Sequence, residues 1–498
     1  MAAKKKPAKP KPPKPPAAKA VACWEDDPGT PGQQPLNSPI NVPVPNQAAQ
    51  PLPFKIGGTT PAPSIYQAGT ANFRYYAAAA ALRRTADFWG SILPTGTKWH
   101  IGSSLPVILD DGVDLNAFYT RGGFDAPGLH FFHATVSGQT YFSGESPDVC
   151  CHEMGHAVLD AIKPQLFDAQ TIEAAAFHES FGDMTSILSA LQVPSFRQEV
   201  LTETAGTLNR ASRLSRLAEQ LGFAIRVQHP DAVDPDCLRN AANSFFYRDP
   251  QTLPPSAPAN VLSSEPHSFS RVFTAAFLDL LAGMAKVVNS SPTSSDIAKV
   301  TQDAARILVG GVMGAPVTPD FYSQVAAQMI SASQTSPFDG KYKDVIKSAF
   351  VRRGILSLQA AATVSSIQVK NLPKAAVAAL APATGKKAAP AELPKANIAA
   401  GVYGLSMPTL LVHTAEEPKR FAVTSASLTG GSIDSSSPQK AAESYTEDLF
   451  QRGRVDVGQH AHPDAGTAHH LSYHTHVIVE EKGQLVLKRR SFECGFDY

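Results

Sequence analysis

The sequence predicts an α+β protein, and three observations support this prediction. Short strand-like runs follow one another between residues 105 and 142. Helical patterns of apolar residues dominate a later part, at residues 270–288, 294–308 and 319–331. Residues 148–160, between these parts, form a helical run whose ionisable side chains stand among apolar ones. We therefore expect a mixed sheet followed by a mostly helical region, with a chemically active helix between them.

The run at residues 148–160 contains an HExxH motif that begins at His152. Residues four apart lie on one face of a helix, so His152 and His156 can present two imidazole nitrogens to one zinc ion. Glu153 then lies beside the metal, where its carboxylate can take a proton from a water molecule on the ion and deliver it to a leaving amine. The alternative is an amphipathic helix with ordinary polar-face histidines. The apolar flanks favour metal binding, because buried ionisable groups need compensation.

A catalytic zinc site needs a third protein ligand, and Glu179 is the best candidate. Glu179 and Asp183 are four residues apart in a second helical run. Glu179 can therefore bind the ion while Asp183 accepts a hydrogen bond from the far nitrogen of a liganding histidine. Glu173 and His178 remain as alternatives, although neither has a carboxylate one turn further on.

Together these motifs resemble those of the thermolysin-like zinc endopeptidases, the gluzincins. Residues 148–160 are similar to the active-site helix of that family, and residues 179–183 are similar to its ExxxD ligand helix. The resemblance implies one catalytic zinc ion, with His152, His156 and Glu179 as its ligands. It also implies a fold of two lobes, in which a sheet lobe and a helical lobe face each other across a cleft with zinc at its floor.

Three further matches follow the order of the family. Asn116 and Ala117 resemble part of an edge strand that holds the substrate backbone in an extended pose. Arg239 stands in a stretch similar to one that places an arginine near the scissile bond. His267 looks like the histidine that donates a hydrogen bond to the oxyanion of the tetrahedral intermediate. The resemblance thus implies hydrolysis of peptide bonds in proteins or peptides.

The sequence also departs from the pattern of the family. Phe167 stands where the family has a second oxyanion donor, a tyrosine. Ala190 replaces an acidic residue of the calcium cluster to which Asp148 would belong, so a calcium requirement is doubtful. Leu262 replaces the acid that orients the catalytic histidine, and Glu265 is the candidate substitute. The loss of the tyrosine keeps a second interpretation open, a catalytically weak zinc scaffold that binds peptides, or an exported effector that acts through its C-terminal part.

Composition divides the chain into five segments. Residues 1–60, rich in Lys, Pro, Asn and Gln, are expected to be a disordered basic tail. For the part between the tail and the linker, the resemblance implies a sheet lobe with the zinc helix and the third ligand at residues 61–192, and a mostly helical lobe with His267 at residues 193–360. Residues 361–400 are an Ala/Pro/Lys linker. Residues 401–498 are expected to form a β-rich domain, and six of its histidines, between residues 460 and 476, are more typical of a solvated loop than of a metal site.

Composition and charge also limit the partners and the location of the chain. It has 498 residues, 43% of them hydrophobic, and a net charge of +1, which argues against nucleic acid as a partner. No continuous apolar stretch suggests a membrane span, and no signal peptide is recognised. We expect a monomer that is cytoplasmic or is exported by a route without a signal peptide.

The five cysteines do not have the pattern of a disulfide framework, since their number is odd and two of them, Cys150 and Cys151, are adjacent. Both are expected to be small core residues. Cys23 lies in the N-terminal segment, where a thiolate could block the open zinc position until the tail is removed. An ordinary thiol without such a role is the favoured interpretation of Cys23.

Overall fold

The computed structural model describes residues 19–29, 38–366, 392–418, 423–427, 429, 431–433, 435–461 and 474–495. Within these residues the chain mixes helices and strands, as the sequence predicts. The helices in this part of the chain are α1 Ala71–Ile92, α2 Pro147–Ile162, α3 Gln165–Asp168, α4 Ile172–Ala190, α5 Pro194–Thr204, α6 Glu219–Gln228, α7 Pro266–Val288, α8 Ser294–Gly314, α9 Phe321–Ser333, α10 Lys343–Arg352, α11 Leu358–Ser366 and α12 Pro438–Gln451.

The strands lie mostly before α2 and after α11. They are β1 Ala20–Cys23, β2 Ile40–Pro43, β3 Phe54–Ile56, β4 Leu105–Ile108, β5 Ala117–Thr120, β6 Gly128–Phe131, β7 His133–Val136, β8 Gln139–Phe142, β9 Arg216–Leu217, β10 Arg239–Asn240, β11 Lys395–Ala399, β12 Thr409–His413, β13 Ser425–Ala426, β14 Ser432–Ile433, β15 Val455–Asp456, β16 His476–Glu481, β17 Gln484–Arg489 and β18 Phe492–Glu493.

The helices α2 and α4 pack closely in the core. Ser146 caps α2 and Thr171 caps α4, because each hydroxyl accepts a hydrogen bond from a backbone N–H of the first turn. The two helices approach at glycines, where a Cβ added to Gly155 would lie 2.9 Å from Cα of Gly182. A Cβ added to Gly182 would lie 2.6 Å from the ring of His152. These two glycines therefore bring the HExxH motif against the face of α4 that carries the second motif.

A five-stranded sheet packs against these helices in the order β18-β5-β6-β4-β3. Strands β3, β4 and β6 run parallel, whereas β5 is antiparallel to β6 and β18 is antiparallel to β5. The resemblance implied an edge strand at Asn116 and Ala117, and in this structure β5 has β18 beside it as the outermost strand. A strand from the C-terminal part of the chain covers that edge, and two residues are too few to show the alternation that predicts a strand.

Part of the N-terminal segment is ordered, so the prediction of a disordered tail over residues 1–60 is wrong for the described part of it. Strands β1 and β2 pair with each other, and β3 joins the five-stranded sheet. Val21 is buried, and so are Leu52 and Phe54, although both of these stand next to prolines. Arg83 of α1 donates a hydrogen bond to the carbonyl of Ala49 at 3.0 Å. A few well-placed apolar residues thus hold a segment whose average composition indicates disorder.

The helical region follows the prediction at three helices, because the runs predicted at residues 270–288, 294–308 and 319–331 overlap α7, α8 and α9. Each has many buried apolar residues on the face that packs into the core. Phe273, Leu308 and Tyr322 are buried there. Helix α7 begins at Pro266, four residues earlier than the predicted run, and this places His267 in its first turn.

The C-terminal part forms a second five-stranded sheet in the order β11-β12-β17-β16-β15. Strands β16 and β17 form a hairpin within this sheet, in which His476 pairs with Arg489 and Glu481 pairs with Gln484. The unpredicted helix α12 accompanies this sheet, and β11 begins before residue 401. Part of the predicted linker is helix or strand, and residues 367–391 lie outside the described residues. So do three residues of the predicted histidine-rich loop, His462, His469 and His470.

Among the helices that the structure describes, none combines the length and the apolar character needed to cross a membrane.

Candidate metal centre

The structure brings three predicted ligands together between α2 and α4. The ligand atoms of His152, His156 and Glu179 lie within 4.8 Å of one another, and all three residues are buried. Nε2 of His152 is 3.2 Å from Oε2 of Glu179, and Nε2 of His156 is 3.8 Å from Oε1 of the same carboxylate. The alternative ligand Glu173 is engaged elsewhere, because it accepts a hydrogen bond from the backbone N–H of Tyr322 at 2.7 Å.

This donor set fits a zinc ion. Two imidazole nitrogens and one carboxylate oxygen are a known ligand set of catalytic zinc sites, which keep a further position open. Nε2 of His156 is fully buried and has no hydrogen-bond partner among the described residues. Because an unpaired buried polar atom is costly, a cation between the three side chains would stabilise the site.

The far nitrogens of both histidines have partners that fix the rings. Nδ1 of His152 is 3.0 Å from Oδ1 of Asp183, the partner that the sequence predicts. Nδ1 of His156 is 3.3 Å from Nδ1 of His178, so His178 is a neighbour of the candidate ligands. In both rings Nε2 is left to face Glu179. Partners of this kind set the tautomer and orientation of liganding histidines.

Arg239 forms an ion pair with Asp183 of the second motif. Its Nη2 donates a hydrogen bond to Oδ1 of Asp183 at 2.8 Å, and its Nε lies 3.1 Å from Oδ2 of the same carboxylate. These contacts give Arg239 a positioning role, and its predicted contact with substrate stays a prediction. The arginine holds Asp183, and Asp183 holds His152.

Burial and neighbouring charges set the protonation of these groups. Burial lowers the pKa of His156 to about 3, which favours the neutral ring that a metal requires. Burial raises the pKa of Glu153 to about 8, and a cation beside this carboxyl would lower it again. Burial alone would raise the pKa of Asp183, but the charge of Arg239 and the hydrogen bond from His152 lower it to about 2.

Glu153 and His267 complete the predicted catalytic set. Both carboxylate oxygens of Glu153 are buried and lack hydrogen-bond partners within the described chain. Nε2 of His267 lies 3.2 Å from Oε2 of Glu179. Nδ1 of His267 lies 2.7 Å from Oε1 of Glu265, which caps α7. Glu265 therefore orients His267. It supplies the carboxylate that the resemblance implied at position 262, where this chain has Leu262.

The predicted substrate-binding groups on β5 are engaged by residues that follow β18. The backbone N–H of Cys494 donates to the carbonyl of Ala117 at 2.8 Å. The N–H of Gly495 donates to Oδ1 of Asn116 at 2.7 Å. The sulfur of Cys494 also belongs to a group of potential ligand atoms, with His152 and Glu153, that lie within 4.8 Å of one another.

Phe167 lies in an aromatic pocket that Phe492 fills. The ring of Phe492 stacks on His178 with a centroid distance of 3.8 Å, and it meets Phe167 edge-on at 5.5 Å. The Arg121 guanidinium lies 4.2 Å from the centroid of the Phe167 ring. Phe167 thus presents an apolar ring here, where the resemblance led us to expect the contrast with a tyrosine hydroxyl.

Sequence reasoning missed the residues that approach the site from β18, and the structure gives no support to the minor alternative that Cys23 blocks the zinc position. Cys23 is packed with Phe73 and Ala77 in a separate apolar cluster, not beside the ligands. The cysteine near the ligands is Cys494. The available signal was a cysteine in the short run 492–495 that follows β17, but nothing in the sequence connects that run with β5.

A second group of buried acids surrounds Asp148. Oxygens of Asp26, Asp148 and Glu219 lie within 4.8 Å of one another. Oδ2 of Asp26 and Oε2 of Glu219 have no hydrogen-bond partner in the described part of the chain. Burial, and then repulsion between the carboxylates, raises the pKa of Asp26 well above its usual value and that of Asp148 to about 7. From the sequence, Asp148 was considered only as part of a calcium cluster that Ala190 leaves incomplete. Its proximity to Asp26 and Glu219 was not predicted.

Asp26→Asn is expected to stabilise the metal-stripped chain more at pH 8 than at pH 5. A carboxyl with a raised folded-state pKa binds more protons when folded, so its contribution to stability falls as pH rises toward that pKa. The amide carries no charge, and the expected difference between the two pH values is on the order of 1 kcal/mol. Urea unfolding in a chelator measures it, with the exposed Asp344→Asn as control. A gain that is equal at both pH values would contradict the assignment.

Comparison with known proteins gives this chain no family. No protein-family model matches it. No curated protein matches it either. The site is therefore interpreted from its own residues and distances.

Proposed function

We propose that the chain is a zinc-dependent metalloendopeptidase. The observation that carries this proposal is the convergence of His152, His156 and Glu179, with the unpartnered carboxylate of Glu153 next to them in sequence and on the same helix. In keeping with the resemblance to thermolysin-like enzymes, we also propose the finer architecture. A sheet lobe that contains β5 and a helical lobe that contains His267 would face each other across a peptide cleft.

An extended peptide is the substrate that this site fits best. At the edge of β5 the Ala117 carbonyl and the Asn116 side chain accept hydrogen bonds from a strand-like backbone. Strand addition of this kind gives affinity through the main chain, and pockets give specificity. The aromatic pocket beside Phe167 supports acceptance of a large apolar side chain, since a phenylalanine already fills it.

A zinc ion held by the three ligands would supply Lewis-acid polarisation of the scissile carbonyl and a lowered pKa for water. Glu153 would remove the proton from the attacking water and pass it to the nitrogen of the leaving amine. Its burial and its two unpaired oxygens fit this role, because no neighbouring donor competes for the carboxylate.

His267 would stabilise the negative charge that develops on the carbonyl oxygen. Glu265 holds Nδ1 of this ring, so Nε2 is the nitrogen that would donate to the substrate. That nitrogen already lies 2.6 Å from a backbone carbonyl oxygen, that of Glu493. A preorganised donor at this distance is what electrostatic stabilisation of an oxyanion requires.

A catalytically weak zinc scaffold that binds peptides is the second candidate, and Phe167 favours it. Without a hydroxyl at that position, electrophilic help depends on zinc and His267 alone. The loss of one oxyanion donor costs about 10²- to 10³-fold in rate. The presence of both Glu153 and His267 favours the peptidase.

Hydrolysis of casein tests the proposal. Because Cys494 lies against His152 in the full chain, the assay compares the wild-type chain with Cys494→Ala. We expect the variant to cleave casein, a zinc chelator to stop the reaction, and added zinc to restore it. If both proteins bind one zinc ion and neither cleaves casein, the peptidase assignment is wrong and the scaffold is favoured.

A further inference from the structure

The segment that follows β17 runs through the proposed peptide cleft as an added strand. Phe492 pairs with Tyr119 and Glu493 pairs with Phe118, both antiparallel. Cys494 continues the ladder through its hydrogen bond to the Ala117 carbonyl. The groups on β5 that would bind a substrate backbone are thus occupied by residues of the same chain.

Cys494 lies beside the candidate metal centre. Its sulfur and potential ligand atoms of His152 and Glu153 lie within 4.8 Å of one another, and the residue is only 1% exposed. Nη2 of Arg239 donates to this sulfur at 3.9 Å. The open position of a catalytic zinc site normally binds water, and a thiolate is a stronger zinc ligand than water.

The residues before Cys494 occupy the other functional positions of the cleft. The Glu493 carbonyl lies 2.6 Å from Nε2 of His267, the proposed oxyanion donor. The ring of Phe492 fills the aromatic pocket between Phe167 and His178. Consecutive residues of the segment therefore block three features together, namely the backbone groups of β5, the Nε2 donor of His267 and the aromatic pocket.

Side chains near β5 and one arginine of the C-terminal part, Arg454, hold this segment. The Glu493 carboxylate accepts hydrogen bonds from Arg454 at 2.8 Å and from Asn116 at 3.2 Å. The preceding Arg490 donates to the Asp125 carboxylate at 2.6 Å and 2.7 Å. Its carbonyl accepts a hydrogen bond from the Thr120 hydroxyl at 2.8 Å. Several of these partners are buried or half-buried, so the segment is anchored along its length.

Gly495 lies close to the Asn116 side chain. A Cβ at this position would lie 2.6 Å from Oδ1 of Asn116, which is closer than real Cβ contacts allow. The hydrogen bond from the Gly495 N–H to that oxygen therefore depends on the absence of a side chain.

We propose that residues 491–495 are an inhibitory strand, in which Cys494 supplies a fourth ligand to the metal and Phe492 to Gly495 block the peptide cleft. The proposal rests on the proposed zinc peptidase function and adds its regulation. The full chain is then latent, and activity requires displacement or removal of this segment.

Latency follows from the physical chemistry of a tethered ligand. The Cys494 thiol binds as a thiolate and releases its proton to solvent, so it replaces water at the metal without consuming any other reactant. Because the strand is part of the same chain, it competes with substrate at a high effective concentration. Only the fraction of molecules with an open cleft can bind a peptide.

X-ray absorption spectroscopy of the zinc-loaded full chain tests the coordination without reference to activity. We expect one sulfur neighbour of zinc at about 2.3 Å in the wild-type chain and none in Cys494→Ala. Cys23→Ala is the matched control, because it also removes a buried cysteine but should keep the sulfur neighbour. A wild-type spectrum with only nitrogen and oxygen neighbours would overturn the coordination.

Casein hydrolysis by the same proteins tests latency. Cys494→Ala is expected to hydrolyse casein about 10- to 100-fold faster than the wild-type chain, because more molecules have an open cleft. Gly495→Ala should activate the chain in the same direction while it retains the thiol. Cys23→Ala should stay as slow as wild type.

The outcomes separate this inference from the proposed function. Equal zinc-dependent hydrolysis by wild type, Cys494→Ala and Gly495→Ala would overturn the inhibitory strand and leave the peptidase intact. A sulfur neighbour in wild type, together with activated variants, supports both proposals. Inert variants that bind zinc, including a folded chain ending at Arg490, would contradict the peptidase function and with it the latency.

Discussion

Glu153→Gln, introduced into the Cys494→Ala chain, is expected to lower casein hydrolysis by about 10²- to 10⁴-fold while one zinc ion stays bound. The amide has nearly the shape of the carboxylate but cannot accept the proton of the attacking water. Glu153 is not one of the three converging ligands, so the metal should remain. Turnover number and zinc content of the same preparation measure both effects.

Glu173→Gln is the matched control for this substitution. Glu173 is also a buried glutamate, and burial raises the pKa of its carboxyl to about 8, as it does that of Glu153. It lies one helix away from the HExxH motif and accepts a hydrogen bond from the N–H of Tyr322. The control should hydrolyse casein like its parent. A Glu153→Gln variant that keeps its activity would exclude this carboxylate as the general base.

His267→Ala is expected to lower the turnover number by about 10²- to 10³-fold with little change in zinc content. The lost group is the donor that lies 2.6 Å from the Glu493 carbonyl, where the oxyanion of a substrate would develop. A transition-state donor affects turnover more than substrate binding, so KM should change little. Steady-state kinetics on a peptide substrate separates the two parameters.

Glu265→Gln serves as the graded control for His267. It keeps the ring in place but weakens the partner of Nδ1, so a smaller loss of turnover is expected. Loss of zinc from His267→Ala would contradict the assignment, because it would make this histidine a ligand. Its 3.2 Å distance from Oε2 of Glu179 makes zinc content a necessary readout.

Local spacing predicted the candidate metal centre because helix geometry fixes it. On α2 the four-residue interval places His152 and His156 on one face, and on α4 the same interval places Glu179 and Asp183. Periodicity also predicted α7, α8 and α9, whose apolar faces are long. In each case a short sequence window places the side chains on one helix, whereas the approach of α2 to α4 at Gly155 and Gly182 is a tertiary contact.

The missed features depend on contacts between distant parts of the chain. After β17 the chain leaves the C-terminal sheet, and β18 pairs with β5 of the other five-stranded sheet. This pairing brings Cys494 to β5. The acids around Asp148 come from a segment near β1 and from α6. No local pattern specifies such pairings, since a two-residue strand and single aspartates carry little signal.

Composition failed at the N-terminal segment for a related reason. The average over residues 1–60 is polar and rich in proline, which is typical of disorder. Stability there comes from a few residues, such as Val21 and Phe54, that reach the core of the folded chain. An average over sixty residues does not show the effect of these side chains.

Zinc content of the dialysed Cys494→Ala chain, with and without Glu179→Ala, tests the central claim most directly. The claim is that His152, His156 and Glu179 form one metal site between α2 and α4. We expect one zinc ion per Cys494→Ala chain, and loss of that zinc when Glu179 is also replaced, because two imidazoles alone do not complete a catalytic site. Equal zinc content in the two proteins, or none in either, would contradict the claim.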